Sequence, residues 1–387
     1  MNALFAVLLL SCAVACGGGP ATSPPAQTAR DGQSEIEVPR TVITPQGASS
    51  VPELLQEAAA LAKAERWAEA AAAYDRVYRL EPEKGLGDQA VWGAADAHDR
   101  ANNLEAAVAR FELYAERAPE SDLATAALVR ATRIHVFRGR FQAAGVHADR
   151  LLKKLDALTS LAKISVYGAK ALSLLERGET EQASYFIEKG RNIVDAEQLD
   201  RAVPLDRDLA QLFYALGELR RTRAAQITFE PLPPNFTTLL EQRCQLLLDA
   251  QTAYSDTMRA GDGHWSAMAG YRVAELYQDL HRDLMAVRPP PSAGTERERQ
   301  LWEGAVRTRY AILLSKAKTM AEHTLAMATR VGEQSVWVDK TRQAIKDIDQ
   351  AVSEQKSLLE KLNYTQANYD QYIAEQEALA QGKAKSK

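Results

Sequence analysis

Apolar residues return at helical spacing in four successive blocks between residues 51 and 194. The first block holds Leu54, Ala58, Leu61, Ala70, Tyr74 and Val77, and closes at Pro82. The second repeats the spacing with Val91, Ala95, His98, Ala107, Phe111 and Tyr114, closing at Pro119. Leu128, Thr132, His135, Ala144, Ala148 and Leu151 form the third, and Tyr167, Ala171, Leu174, Ala183 and Ile187 the fourth. Each block predicts a pair of helices. Ala58, Ala95 and Ala171 are small enough to let the partner helix approach, and Tyr74 and Phe111 fill the space left from the opposite side. Glu65-Arg66, Asn102-Asn103, Gly139 and Gly178 occupy one equivalent place and predict the turn between the helices of each pair. Pro82 and Pro119 end the second helices, because proline has no N–H and cannot continue a helix.

These offsets resemble those of the 34-residue tetratricopeptide (TPR) unit, over roughly residues 51–194. The resemblance implies helix hairpins that cannot bury their apolar faces alone and therefore stack into a solenoid. The fold expected is all-α: a TPR-like α-solenoid, then additional helical hairpins and a long C-terminal helix.

Beyond the repeats, a 3.6-residue apolar stripe (Leu209, Leu212, Phe213, Leu216, Leu219) predicts a helix over about residues 205–225. Proline-rich segments at 229–236 and 288–294 interrupt further helical pattern over 195–331. Helices are predicted at about 238–258, 265–287, 296–330 and 335–362. In the last, Val338, Thr341, Ile345, Ile348, Val352, Gln355, Leu359 and Leu362 alternate by three and four, a heptad seam. Residues 332–387 are thus read as a long helix, capping the solenoid or joining a coiled coil, followed by a polar, frayed tail.

The chain opens differently. Ala3 to Leu10 is an apolar run too short for a bilayer, which takes roughly 20 residues, and it reads as a secretory signal over residues 1–16. Ala13-Val14-Ala15-Cys16 resembles the lipobox at which bacterial lipoproteins are acylated on cysteine, with Leu9-Leu10-Ser11-Cys12 as a competing match. No Lys or Arg precedes the run, a departure from the usual signal. Cys16 is the favoured lipidation site, since Gly17-Gly18-Gly19 and the Pro-rich stretch to residue 50 read as a disordered tether. Acyl chains contribute about 0.8 kcal/mol per buried methylene, so several together anchor stably. Gly17 after the cysteine, rather than Asp, resembles the signal for outer-membrane delivery, which implies a periplasm-facing location.

Composition narrows the classes left. A chain of 387 residues with 46% apolar content folds around a large core. Net charge −4 and a pI near 6.0 provide no electrostatic footprint for nucleic acid. Cys244 is the one cysteine outside the signal region, so no intramolecular disulfide is expected in the mature chain. It sits among Leu240, Leu247 and Leu248 and reads as a buried small hydrophobe.

Cys244-Gln245-Leu246-Leu247-Leu248-Asp249-Ala250-Gln251, Tyr254-Ser255-Asp256, His264 through Val273 and Glu275-Leu276-Tyr277 resemble a stretch found in TPR lipoproteins of myxobacteria and their relatives. Components of the gliding-motility apparatus are among them. The resemblance implies a scaffold at the outer membrane that binds other envelope proteins.

Chemistry is harder to find. No His-x-x-x-His, Gly-x-Ser-x-Gly, phosphate loop or dinucleotide fingerprint occurs, and neither a metal site nor a cofactor is expected. His98 and His135 share the repeat offset of Leu61 and Leu174, which predicts a packing role. Asp262 is placed to cap a helix beginning at His264-Trp265. The first helices of a TPR solenoid line a concave groove, which should set Trp92, Asp96 and Asp99 beside Arg133, Val136 and Phe137, with Trp92 either an exposed partner-binding anchor or packed against the neighbouring repeat.

The function expected is a lipid-anchored periplasmic protein–protein interaction scaffold of a cell-envelope machine, with gliding motility implied by resemblance. A second reading is an accessory lipoprotein for outer-membrane protein assembly or for type IV pilus or secretin biogenesis. A cell-wall-acting enzyme is the third, and it lacks a catalytic constellation. The expected partners are other envelope proteins, the membrane through the lipid anchor, and a second copy through the heptad helix, with no nucleic acid.

Overall fold

The computed structural model describes residues 50–385. Cys12, Cys16 and the stretch to residue 49 lie outside these. Among the described residues there are fourteen α-helices and no strand. The four predicted pairs are α1 (Val51–Lys63) with α2 (Trp67–Leu80), α3 (Leu86–Arg100) with α4 (Leu104–Arg117), α5 (Asp122–Phe137) with α6 (Phe141–Leu151), and α7 (Ser160–Glu176) with α8 (Thr180–Glu197). Six more follow: α9 (Arg207–Ala225), α10 (Phe236–Met258), α11 (Gly263–Met285), α12 (Glu296–Val331), α13 (Val336–Leu362) and α14 (Gln366–Lys385). From α1 to α13 each helix packs on the next, as a TPR-like solenoid requires, and α14 packs on α12.

One small device, repeated, sets the hairpins. Glu65, Asn102, Gly139 and Gly178 all adopt left-handed backbone angles, with φ of 57°, 58°, 71° and 78°. That conformation lets the next N–H reach back to a carbonyl of the last turn, as in Arg66 to Leu61 (3.0 Å), Asn103 to His98 (2.8 Å), Arg140 to His135 (2.8 Å) and Glu179 to Leu174 (3.0 Å). The turn residues recur every 37 residues from Glu65 to Asn102 to Gly139, and after 39 at Gly178. The unit is therefore longer than the 34 residues of the resemblance. Its internal offsets are kept, and the extra residues fall in the connections between units, such as the 3-10 turn Leu152–Ala157.

Packing follows the predicted logic. Ala58, Ala95, Ala171 and Phe111 are inaccessible to solvent. Gly93 leaves the space that the Tyr74 ring occupies. Thr132 is buried as well and returns its hydroxyl to the Leu128 carbonyl at 2.7 Å, so the polar atom is satisfied inside its own helix.

The second half is built on longer helices started by side-chain caps. Asp206 accepts from Asp208 N, Asp262 from His264 N and Trp265 N, and Thr295 with Glu298 forms a capping box ahead of the 36-residue α12. The first proline segment is tied down by Phe229, which is buried edge-on to Phe236 and beneath the Arg243 guanidinium. Cys244 is half-buried rather than buried, at the edge of a small apolar crevice with Leu240, Leu247 and Tyr310.

The C-terminal segment follows one of its two expected readings, a helix packed on its own solenoid, and differs from expectation at its end. Four positions of the heptad seam (Val338, Thr341, Ile348 and Gln355) are buried, α13 packing on α11 and α12 of the same chain, while Val352 stays exposed. Beyond Tyr372, where a frayed tail was expected, helix α14 continues to Lys385; it follows a turn at Asn363 and lays Tyr369 and Tyr372 on α12. Gly304 makes room for the Tyr369 ring, a docking signal that polarity alone conceals.

Candidate functional site

A cleft of about 280 Å3 opens between the first helices of the second and third units, α3 and α5, and the later helices α9 and α11. The structure places Asp99, Arg133 and Phe137 of the predicted groove on its wall. Asp96 sits just behind, bonded to the lining residue Arg130. Trp92 is not among the lining residues. Its ring makes edge contacts with Phe111 and Tyr114 at centroid distances of 5.8 and 5.3 Å, so it is a half-buried packing residue between α3 and α4. Val136 is fully buried. Both face inward because the side of α3 and α5 that meets the neighbouring helices carries them.

Charge in the cleft is organised as pairs. Arg130 donates to Asp96 at 2.6 Å and to Asp99 at 2.5 Å, with its guanidinium 4.7 Å above the Phe111 ring. Arg133 reaches across to Asp208 on α9, where its Nε lies 2.8 Å from Oδ1 and a second contact closes the fork. Burial raises the Asp208 carboxyl above its usual range, against the pull of the Arg133 charge. Arg207 is paired to Asp262 at 3.1 Å, yet 76% of its side chain is exposed. Phe137 stacks on His264 at 3.8 Å, and His264 Nε2 donates to the Phe137 carbonyl oxygen at 2.7 Å. This contact joins α11 to the end of α5 and roofs what was expected to be an open groove.

The lining has no serine, cysteine, lysine, histidine or tyrosine. The arrangement can hold a chain by apolar contact and charge, and its two carboxylates, Asp99 and Asp208, are both engaged by arginines. Asp208, Arg207 and Trp265 escaped the sequence reading because they come from helices about 70 or more residues away, outside any repeat register. Only the cap at Asp262 marked that end of α11.

The histidines do more than expected. His98 and His135 sit between helices, and each also clamps an acid. His98 Nε2 lies 3.0 Å from Asp75 Oδ2, and Arg110 donates to the other oxygen of Asp75 at 2.7 Å. Burial would raise the Asp75 pKa, but the bonds from Arg110 and His98 outweigh it and hold the carboxyl low. One unit later, Glu112 Oε1 meets His135 Nε2 at 3.0 Å and His147 Nε2 at 2.8 Å. The three donor atoms lie within 4.8 Å of one another, a His-His-carboxylate cluster where no metal-ligand constellation was expected. Its members sit on α4, α5 and α6, so no short motif could announce it.

No family model matches this chain, and no curated protein matches it in sequence. Among solved structures it is similar to a tetratricopeptide repeat protein from Parabacteroides merdae, at 10% identity over 77% of this chain and 98% of that one, with a TM-score of 0.40. It is also similar to the human IFIT1 dimer with m7Gppp-AAAA, at 13% identity over 86% and 72% of the two chains and a TM-score of 0.38. At such identities and TM-scores, function has to be read from this chain's own geometry.

Proposed function

We propose that this protein is a lipid-anchored scaffold of the cell envelope that docks a segment of a partner protein in the cleft between α3, α5, α9 and α11. The observation that carries the reading is the cleft itself: paired charges and apolar flanks on the inward side of a helical-repeat solenoid. A segment with a carboxylate beside an apolar side chain fits it, the carboxylate meeting exposed Arg207 and the apolar group resting on Leu104 and Phe137. The anchor part of the proposal rests on the lipobox-like Ala13-Val14-Ala15-Cys16 and Gly17, and the machine served, gliding motility, on the resemblance in residues 244–277.

Charge reversal at Arg207 is the direct test. Arg207 begins α9, where a glutamate suits the positive end of the helix dipole, so Arg207→Glu should fold normally. Partners crosslinked to the wild-type chain in cells, then identified and titrated in vitro, should bind Arg207→Glu at least about tenfold more weakly, equivalent to about 1.4 kcal/mol. Unchanged affinity removes the cleft as the docking surface. Separately, Cys16→Ser should release the protein from the membrane fraction and abolish acyl labelling while Cys12→Ser does neither.

A further inference from the structure

The two clamps described above are one device copied 37 residues apart. In each, an acid on the second helix of one unit is held by a side chain from each helix of the next. Asp75, His98 and Arg110 form the first copy, and Glu112, His135 and His147 the second. A single replacement, imidazole for guanidinium at the third place, changes what the cluster can bind. Arginine only donates hydrogen bonds, whereas a neutral imidazole offers a nitrogen lone pair to a metal.

As a contact holding helices together, the second copy is the poorer. In the first, His98 Nδ1 is bonded to Asn103 at 3.3 Å, so both ring nitrogens are used. In the second, the Nδ1 atoms of His135 and His147 are buried with no hydrogen-bond partner. The rings are 5% and 8% exposed, while the Glu112 side chain is 36% exposed and leads to solvent. With no partner fixing either Nδ1, each ring can change tautomer and turn an Nε2 lone pair toward an ion.

We propose that Glu112 Oε1, His135 Nε2 and His147 Nε2 bind a divalent transition-metal ion of the zinc type, with a fourth position open to water on the Glu112 side. Two imidazoles and a carboxylate are a donor set that zinc accepts, whereas calcium and magnesium require oxygen-rich cages. Metal–ligand bonds of about 2.0–2.2 Å put tetrahedral donors about 3.4 Å apart. The two hydrogen bonds to Glu112 would open by about half an ångström, within reach of side-chain rotation. Loading exchanges both Nε2–H···O bonds for metal bonds and moves each ring's proton to Nδ1. The ion would pin α4 to both α5 and α6, a staple between the second and third units.

Equilibrium dialysis of the full chain against Zn2+ tests this, with Co2+ absorption reporting the coordination. The wild type should take up one Zn2+ per chain at this site and show the intense visible bands of tetrahedral Co2+. His147→Arg recreates the composition of the first clamp, so the Glu112 contact survives and that equivalent of metal is lost. His135→Gln, which keeps a hydrogen-bond donor near Glu112, should lose it too and serves if His147→Arg misfolds. Uptake equal in wild type and variants, or none in the wild type, overturns the proposal.

Discussion

The two halves of the molecule handle charge in opposite ways. From α1 to α8, acids and bases meet at the edges between units, half-exposed, as in Asp75 with Arg110 and Asp88 with Arg117. From α9 to α11, a carboxylate is sunk into the core. Glu218 is 6% exposed and accepts from the Tyr254 hydroxyl at 2.7 Å, from Arg272 at 2.9 Å and from Arg221 at 2.9 Å. Burial would raise its pKa, but the charges of Arg272 and Arg221 win, and the carboxyl is held below its usual range. Burial likewise drives the Tyr254 hydroxyl well above its ordinary value, so it stays a donor. The lesson concerns register. Short repeats place polar residues at unit edges and keep an alanine-rich core between them. Long, unrepeated helices cross at unique points, and one such crossing has become a polar knot in which every partner depends on the others.

Breaking that knot should have the largest effect. Glu218→Ala takes from Arg221 its carboxylate, leaves Arg272 with Glu275 alone, and should cost about 3 kcal/mol in denaturant unfolding, with Asp75→Ala costing markedly less. An equal cost would erase the contrast between the halves. The pH dependence follows in sign. Because the folded pKa of Glu218 is lowered, its stabilisation is complete above the unfolded value of about 4.3 and is lost as pH falls through the lower folded value. Glu218→Gln should therefore flatten the acid limb of stability measured against pH.

A smaller loss should come from Gly304→Ala. The added methyl collides with the Tyr369 ring and should loosen α14 from α12 at a cost of about 1–3 kcal/mol, seen as faster amide exchange in α14 and none in α1–α8. Smallest, and of opposite sign, is Glu65→Gly. A non-glycine residue held at φ 57° carries left-handed strain that Gly139 and Gly178 avoid, so the change should raise stability by about 0.5–1 kcal/mol in chemical denaturation. A loss there would mean that the Glu65 side chain supports the turn.

Much of this fold was legible in the chain. Ala58, Ala95 and Phe111 announce close helix pairs by size and spacing, and Glu65, Asn102, Gly139 and Gly178 mark the hairpins because few residues tolerate that backbone. The breaks at 229–236 and 288–294 showed for the same local reason, since proline is excluded from a helix interior, though not from its first turn, where Pro52 sits. The site was legible only in part. Asp99, Arg133 and Phe137 were placed on one surface by the repeat register. Trp92 stayed open between anchor and packing residue because its offset alone does not say which neighbour covers it. Tyr369 and Tyr372 likewise look like isolated aromatics before a polar tail until Gly304 is seen to receive one of them.

By itself, then, the sequence determined whatever is local or periodic: the helices, their pairing, the turns and the order of the stack. Tertiary structure alone decided what meets across long separations. It brought Asp208 to Arg133, His264 to Phe137 and His147 to Glu112, and turned the heptad face inward. The physical reason is that backbone and helical preferences act over a few residues, whereas a side chain's partner in a solenoid depends on accumulated small rotations along every helix between them.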